Sequence, residues 1–534
     1  MNYGLVLRSL SFVALLTGGF MLFSLPWASP SLGPAREFEQ SGFLSLLYSA
    51  GICFAVWYLL RFLGRNHDKL PMYRKEAMAV VGLSWVMVTF LGGLPFLFNE
   101  TPREDGLAMT FADAMFESQS GFSTTGATVI TDLEKVDKCI LFWRSSTHFL
   151  GGLGIIVLFV AILGHGSAGK ALMRAEMPGP TKEGSTARMQ QTAWRFAAIY
   201  VVLNVILALA LIFLGLDLFD ALCHAFGTMA TGGFSTHNES LGYFALHPEE
   251  YKAEWIEMTV MLFMLLAGTN FTLLFFLVLR KFRLLWFDVE WRSYLGIIAL
   301  ATLLVMGFGL YHGDFSQWWE AFRYGSFQVV AIVTTTGYGT HDFDGWNNFG
   351  RGLLFLLMFI GGCAGSTGGG LKVIRHVLFF KILRLELEQS YHPSVVRPLR
   401  VGGHPVDDPD LRKNILVYFA IALFLMVTCW LIMIAFEPDD TWQVLLPAEG
   451  LSSPVEGPSA EQISLDNKLI DSASAIAATL NNIGPGLGAI GATQNYSRFT
   501  WWTKLFLFTP LMMLGRLEFF PIIVLVLPRF WRSR

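Results

Sequence analysis

Thr334–Thr340 reads TTTGYGT, and it closes the longer segment FRYGSFQVVAIVTTTGYGTHDF, Phe322–Phe343. Four threonines, two glycines and a tyrosine here lie in a long, largely apolar stretch and have no enzyme-like neighbours. Such a stretch offers backbone carbonyls and hydroxyls, and rings of carbonyls can replace a cation's hydration shell. One strand cannot make a ring, so the rest of the chain decides the matter.

Three further copies are present. FADAMFESQSGFSTTGATV runs from Phe111 to Val129, FDALCHAFGTMATGGFSTH from Phe219 to His237, and IDSASAIAATLNNIGPGLG from Ile470 to Gly488. Each passes from a short amphipathic segment into a small-residue strand with a central glycine: Gly126, Gly233, Gly337 and Gly484. Asp113, Asp220 and Asp471 each precede that glycine by 13 residues, and Tyr324 holds the equivalent place in the third copy. The central glycines are 107, 104 and 147 residues apart. A period of that size, holding one outgoing and one incoming helix, makes the unit helix, half-helix, strand, helix. Two polar inserts, Gln389 to Pro409 and Glu437 to Asp466, account for the longer last interval and have the composition of linkers.

The setting is a membrane. Hydrophobic residues make up 53% of the 534-residue chain and charged residues only 15%, well below the soluble norm of about 25%. Apolar runs cover Gly4–Trp27, Ser41–Leu60, Ala77–Phe98, Ile140–Leu163, Phe196–Leu214, Met258–Leu279, Tyr294–Leu310, Leu353–Ile360, Ile415–Phe436 and Leu505–Leu527. Most approach the roughly 20 residues that a spanning helix needs. The first run is longer than a signal-peptide core and is flanked by Pro26 and Pro30, so it is read as a retained helix. The expectation is an all-α polytopic protein with about ten transmembrane helices and four re-entrant loops around a central pore. Residues 1–70 form two leading helices; the four repeats occupy 71–168, 190–283, 290–388 and 410–534.

Basic residues fall on alternate loops: Arg61, Arg65, Lys69, Arg74 and Lys75; Lys170, Arg174, Lys182 and Arg188; Arg280, Lys281, Arg283 and Arg292; Lys381, Arg384, Arg397, Arg400, Arg412 and Lys413; and Arg529, Arg532 and Arg534. The positive-inside rule places these loops and both termini in the cytoplasm. The opposite loops carry Glu100, Glu104, Asp105, Glu239, Glu249 and Glu250, which concentrates cations on that face. The five cysteines lie in or beside apolar runs and suggest neither a disulfide framework nor a thiolate metal site.

A half-helix of about ten residues at 1.5 Å each covers about half the hydrocarbon thickness, so it must enter and turn back. Non-helical backbone at that depth is tolerated only in protein or against water, which four copies around one axis would supply. The outer Asp is expected to cap the half-helix, turning its negative dipole end to the pore centre. Ligation by neutral oxygens suits a large monovalent cation, because divalent ions prefer carboxylates. Potassium fits best and sodium is the competitor.

After Leu353–Ile360 comes GGCAGSTGGGLKVIRH, Gly361–His376, in which six of the first ten residues are glycine. Glycine weakens a helix by roughly 1 kcal/mol against alanine, so this span should unwind at mid-membrane and form a flexible constriction below the third strand. It is no Walker loop, since Leu371 interrupts the glycine–lysine order. Arg516 and Glu518 lie in the last apolar run. Two readings stand: a pore-facing cation that opposes permeation when the path is closed, or an internal ion pair. Arg144 and His148 are read as snorkelling, or as capping loop groups. His148, His224 and His376 are scattered and form no constellation for an enzyme.

These four loops, with GGCAGSTGGGLKVIR, FWRSSTHFLGGLGIIVL from Phe142 and LGRLEFFP from Leu514, resemble the Trk/Ktr/HKT superfamily of potassium uptake proteins, and within it the TrkH/TrkG type. The resemblance implies a homodimer in the bacterial cytoplasmic (inner) membrane, each subunit with its own pore. It implies potassium ligation by Thr124, Thr125 and Gly126; Thr231, Gly232 and Gly233; Thr335, Thr336 and Gly337; and Asn482, Ile483 and Gly484. The implied gate is Gly361, Gly362, Ala364, Gly365, Ser366, Thr367, Gly368, Gly369, Gly370 and Lys372, with Arg516 as the pore-facing arginine. Control is implied by a cytoplasmic TrkA-type ring that binds NAD(H), ATP or ADP. This chain itself is expected to carry no cofactor and no nucleic acid, with potassium as substrate. Members with serine for the first glycine tend towards sodium, and Gly126 argues against that here. Pro485 makes the fourth strand only approximately equivalent. Proton- or sodium-coupled symport remains the alternative to uptake driven by voltage.

Overall fold

The computed structural model describes residues 1–31, 34–65, 72–103, 107–154, 186–393, 400–401, 404–405, 411–442, 460–517 and 519–532. Lys69, Glu104, Asp105, Lys170, Arg174, Lys182, Arg397, Glu518, Arg534 and most of the two polar inserts lie outside them, as does the side chain of Arg188. The regular structure of the described residues is helical, apart from a two-residue antiparallel ladder in which Arg400–Val401 pairs with His404–Pro405 and an isolated bridge between Pro102 and Ala108.

Helices α1 (Tyr3–Ser24) and α2 (Gln40–Leu63) pack as a close pair, Gly18 lying against the Cβ of Cys53. Small residues at such crossings let helix backbones approach in lipid. Then come α3 (Arg74–Phe98), the short α4 (Phe111–Phe122) and α5 (Lys138–Leu153). The same order recurs in α6 (Thr186–Phe213), α7 (Leu218–Met229) and α8 (Ala253–Ala267), which continues as α9 (Phe271–Val278). It recurs again in α10 (Val289–His312), α11 (Trp318–Val333) and α12 (Asn348–Leu357), with α13 (Val373–Tyr391) beyond the glycine loop. The last set is α14 (Leu411–Phe436), α15 (Ala460–Leu480) and α16 (Thr509–Leu517).

Among the described residues six helices are long and apolar enough to cross a membrane, or seven spans if the bent pair α8–α9 counts as one. Three apolar runs behave differently from continuous spans. Met258–Leu279 bends by 106° between Ala267 and Phe271. There the carbonyls of Ala267 and Gly268 accept from Thr367 and Cys363 of the glycine loop, so they are lost to the helix ladder. Leu505–Leu527 contains a π-helical turn, Thr503–Phe508, where the Thr509 hydroxyl donates to the Lys504 carbonyl at 2.8 Å. It breaks again around Phe519, at φ +62. Ile140–Leu163 is helical to Leu153 and then leaves the described residues.

The four short helices differ from expectation at their outer ends. Thr110 is the N-cap of α4 and Asp113 closes a capping box from the third helical position. Asp217 caps α7 and Asp220 stands in the same third position. Asp471 caps nothing, because α15 begins eleven residues earlier, at Ala460, and places it mid-helix. The 13-residue spacing therefore marks a first-turn acid in two copies, still on the favourable end of the dipole, and an internal acid in the fourth.

Candidate functional site

All four glycine-centred strands have one backbone pattern. Thr124, Thr231, Thr335 and Asn482 lie in the left-handed region, at φ +55, +54, +59 and +56, and the glycines two residues later at +81, +79, +76 and +98. The hydrogen bonds repeat too. Thr125, Gly232, Thr336 and Ile483 donate to the carbonyls of Ser120, Gly227, Ala331 and Ala478, five residues back, at 2.8–2.9 Å. This is the Schellman ending of a helix, in which the left-handed position usually belongs to glycine. Threonine there is disfavoured by roughly 1–2 kcal/mol, and its recurrence at the same register in three strands, with the more tolerant Asn482 in the fourth, marks a functional constraint.

The strands meet in a closed cycle. A Cβ built on Gly126 would fall less than 3.0 Å from the carbonyl oxygen of Gly232; on Gly233, from that of Thr336; on Gly337, from that of Ile483; on Gly484, from that of Thr125. Each glycine thus abuts the residue preceding the glycine of the next strand, and the fourth returns to the first. Thr125, Gly232, Thr336 and Ile483 each contribute one carbonyl to that cycle. Symmetry is imperfect: the Gly484 carbonyl accepts from the Tyr496 hydroxyl at 2.8 Å. At the start of the strands, Thr124 Oγ1 and Asn482 Oδ1 are buried without a hydrogen-bond partner among the described residues.

Beneath the third and fourth strands the backbone leaves α12 after Leu357 and resumes as α13 at Val373. The intervening loop contains the six glycines, and many bonds tie it down. Gly361 donates to the Leu371 carbonyl at 2.7 Å, Val373 to Gly362 at 3.2 Å, and Gly369 to Thr335 Oγ1 at 2.8 Å. Ser366 Oγ reaches the Cys363 carbonyl at 2.6 Å, and Gly365 accepts from Phe271 at 3.0 Å. Lys372 Nζ donates to the Gly368 carbonyl. The loop is folded, with its own network of hydrogen bonds. A cavity flanks it, bordered by Gly365–Gly370, Gly152, Tyr200, Phe271 and Arg516. Arg516 donates to the carbonyls of Thr367, in the loop, and Gly151, at the end of α5. Ala364 is buried on the loop's far side, packed with Ile374 and Leu378.

The family model described as TrkH, cation transport protein, matches residues 48–440. The Trk system potassium uptake protein TrkH of Escherichia coli K12 is 36% identical over 94% of this chain and 93% of its own length. TrkG of the same organism is 32% identical over 96% and 97%. The chain belongs to the TrkH family. The crystal structure of the potassium transporter TrkH from Vibrio parahaemolyticus superposes with a TM-score of 0.81, at 31% identity and full coverage of both chains. The family's description is that of a transport protein, which agrees with the lack of any enzyme-like constellation in the sequence.

In this TrkH-family chain the strands are held by side chains that the sequence did not pair. Arg144 is buried, ion-pairs with Glu117 at 2.6 Å, donates to the Ser235 carbonyl at 2.8 Å and lies over the Phe234 ring at 3.5 Å. Glu117 also accepts from the Val129 amide at 2.9 Å, so the first and second strands are tied through one ion pair. Arg144 therefore does not snorkel. His148 does cap a loop group, accepting from the Phe234 amide at 3.2 Å while its other nitrogen meets the Gly121 carbonyl at 2.8 Å. Tyr338 donates its hydroxyl to the Phe234 carbonyl at 3.3 Å, joining the third strand to the second. Asn482 Nδ2 reaches Thr125 Oγ1 at 2.9 Å and closes the fourth on the first. Lys504 Nζ, in the π-turn, pairs with Asp113 at 2.6 Å in a buried contact across the same seam. A lone lysine in WWTKLFLF was a visible signal of a buried partner; Tyr496 and Asn482 gave none.

Outside the spanning segments, the loop after the third strand meets the loop after the fourth. Asp344 Oδ1 accepts from the Gly488 amide at 3.0 Å. Burial first, and then the nearby Asp342 charge, push the Asp344 carboxyl up to about 6. A raised acid favours the fold while protonated, and that contribution is lost as pH rises through about 6. Asp344→Asn keeps the acceptor and removes the charge. It is expected to raise the melting temperature in detergent at pH 8 and leave it unchanged at pH 4; equal shifts at both pH values would exclude this origin.

Proposed function

We propose that this protein takes up potassium across the bacterial inner membrane through the ring formed by residues 124–126, 231–233, 335–337 and 482–484, driven by membrane potential. The observation that carries the reading is the closed cycle of glycines and carbonyls, which supplies neutral oxygens where a cation must shed water. The unpartnered oxygens of Thr124 and Asn482 are suited to hydration at the ring's inner mouth. Each 100 mV contributes about 2.3 kcal/mol per charge, enough for accumulation without another energy source. Coupled symport is the weaker reading, because Glu117, the carboxylate beside the first strand, is engaged by Arg144 and cannot readily shuttle protons.

In this reading Gly361–Gly370, with Lys372 and Arg516, is the gate. The relatives are named as parts of a Trk system, and the same arrangement is proposed here. The chain works as a homodimer with cytoplasmic termini, and a cytoplasmic TrkA-type ring carrying NAD(H), ATP or ADP acts on the gate. The test is rubidium flux into liposomes holding the purified protein. Uptake set by an imposed voltage alone, with no pH or sodium gradient, is expected; uptake that appears only with such a gradient rejects the voltage-driven reading.

A further inference from the structure

Glu290 lies in the first turn of α10, and its side chain is buried. Its Oε1 accepts from two backbone amides, Ala364 at 2.6 Å and Ile374 at 3.2 Å. Those amides bracket the centre of the glycine loop: Ala364 is in its first turn and Ile374 in the first turn of α13. One carboxylate oxygen therefore clamps both ends of a segment whose four glycines, Gly365, Gly368, Gly369 and Gly370, give it little stiffness of its own. The carboxylate lies in the first turn of α10, with Asp288 capping that helix through the Trp291 amide. The charged groups around it are Asp288 and Lys372.

The C-terminal end of the loop borders open space. Gly370 and Leu371 border an apolar cavity of about 460 Å³, walled by Phe359, Phe379, Phe419 and Phe519. Protein interiors are normally close-packed, so a void of this size beside a clamped loop leaves room for a displacement that the clamp prevents. The loop is clamped at Ala364 and Ile374 and borders free space at Gly370 and Leu371, which is the layout of a two-position element.

We infer that Glu290 is the latch of the glycine loop: a positioning residue that holds the loop across the path and must let go before the loop can move. The inference rests on the gate reading above. Charge-assisted hydrogen bonds are about twice as strong as neutral ones, so Glu290→Gln weakens both bonds without changing shape.

The loop carries its own reporter, Cys363, which is buried and free. Rubidium flux and the alkylation rate of Cys363 by N-ethylmaleimide, resolved by peptide, are measured in liposomes without any regulatory partner. Cys223, buried beside the second strand, is the internal reference. Glu290→Gln is expected to raise both basal flux and Cys363 labelling by about fivefold or more, with the rubidium-to-sodium ratio and Cys223 labelling unchanged. A merely structural role would lower flux or expose both cysteines together. Should glutamine impair folding, Glu290→Asp keeps the charge but is too short to reach both amides, and the same two increases are expected at smaller size. Basal flux and Cys363 labelling that stay at the wild-type level in the folded variant overturn the latch alone. A wild-type protein without voltage-driven rubidium flux overturns the proposed function instead.

Discussion

Gly337→Ser is expected to reduce discrimination of potassium over sodium by about tenfold or more while leaving transport itself measurable. Two features of the position set that size. Its backbone is at φ +76, where an L side chain is disfavoured, and its Cβ would run into the Ile483 carbonyl and lie 2.8 Å from Pro485 Cδ. The serine can be accommodated only if the strand rotates or Ile483 retreats, and either change moves an oxygen of the ring. Strain of this kind amounts to roughly 1–3 kcal/mol, and 1.4 kcal/mol corresponds to tenfold in an equilibrium. Gly339, two residues on in the same strand, is the control. A Cβ there meets Ala492 at 3.6 Å, an ordinary contact, so Gly339→Ser should leave the ratio as in wild type. Competition between rubidium and sodium for flux into liposomes measures both. Equal ratios in wild type and Gly337→Ser would remove Gly337 from the ring.

The two glycines also show what is legible in this sequence. Positions that need a positive φ beside a neighbouring backbone restrict the residue type almost to glycine, so the four central glycines stand out at a fixed register. The glycine-rich loop is legible for a related reason, since so many glycines cannot sustain a helix. Features that depend on distant partners are not. The break at Gly268-Thr269-Asn270 has a local signal in the Asn270 cap, but its angle depends on Cys363 and Thr367, about a hundred residues later, which take the carbonyls of Gly268 and Ala267. Asp113, Asp220 and Asp471 look equivalent by spacing, yet helix length outside the repeat gives the third a different place. Arg144 reads as a residue near a helix end until Glu117, 27 residues earlier, is brought beneath it. Local backbone requirements write themselves into residue identity, whereas long-range pairings leave only an unexplained charge.

That charge yields the other large effect. Arg144 and Glu117 are 2% and 0% exposed, so neither can turn to water when its partner is removed. Arg144→Met leaves a buried carboxylate whose remaining donors are the Thr128 hydroxyl and the Val129 amide. Breaking one side of such a pair costs about 3–5 kcal/mol. It also strips the Ser235 carbonyl of its donor at 2.8 Å and the Phe234 ring of its cation, so the second strand loses its tie to the first. A marked fall in melting temperature is expected, with weaker selectivity in whatever protein remains folded. Glu117→Gln alone should be milder, because an amide still accepts from Val129. The double variant Arg144→Met with Glu117→Gln is expected to recover part of the stability lost in Arg144→Met, since no uncompensated charge is then buried, but not the selectivity, since Ser235 still lacks its donor. Additive losses in the double variant would mean that the two residues act separately, and the seam between the first two strands would then have to be held by His148 instead.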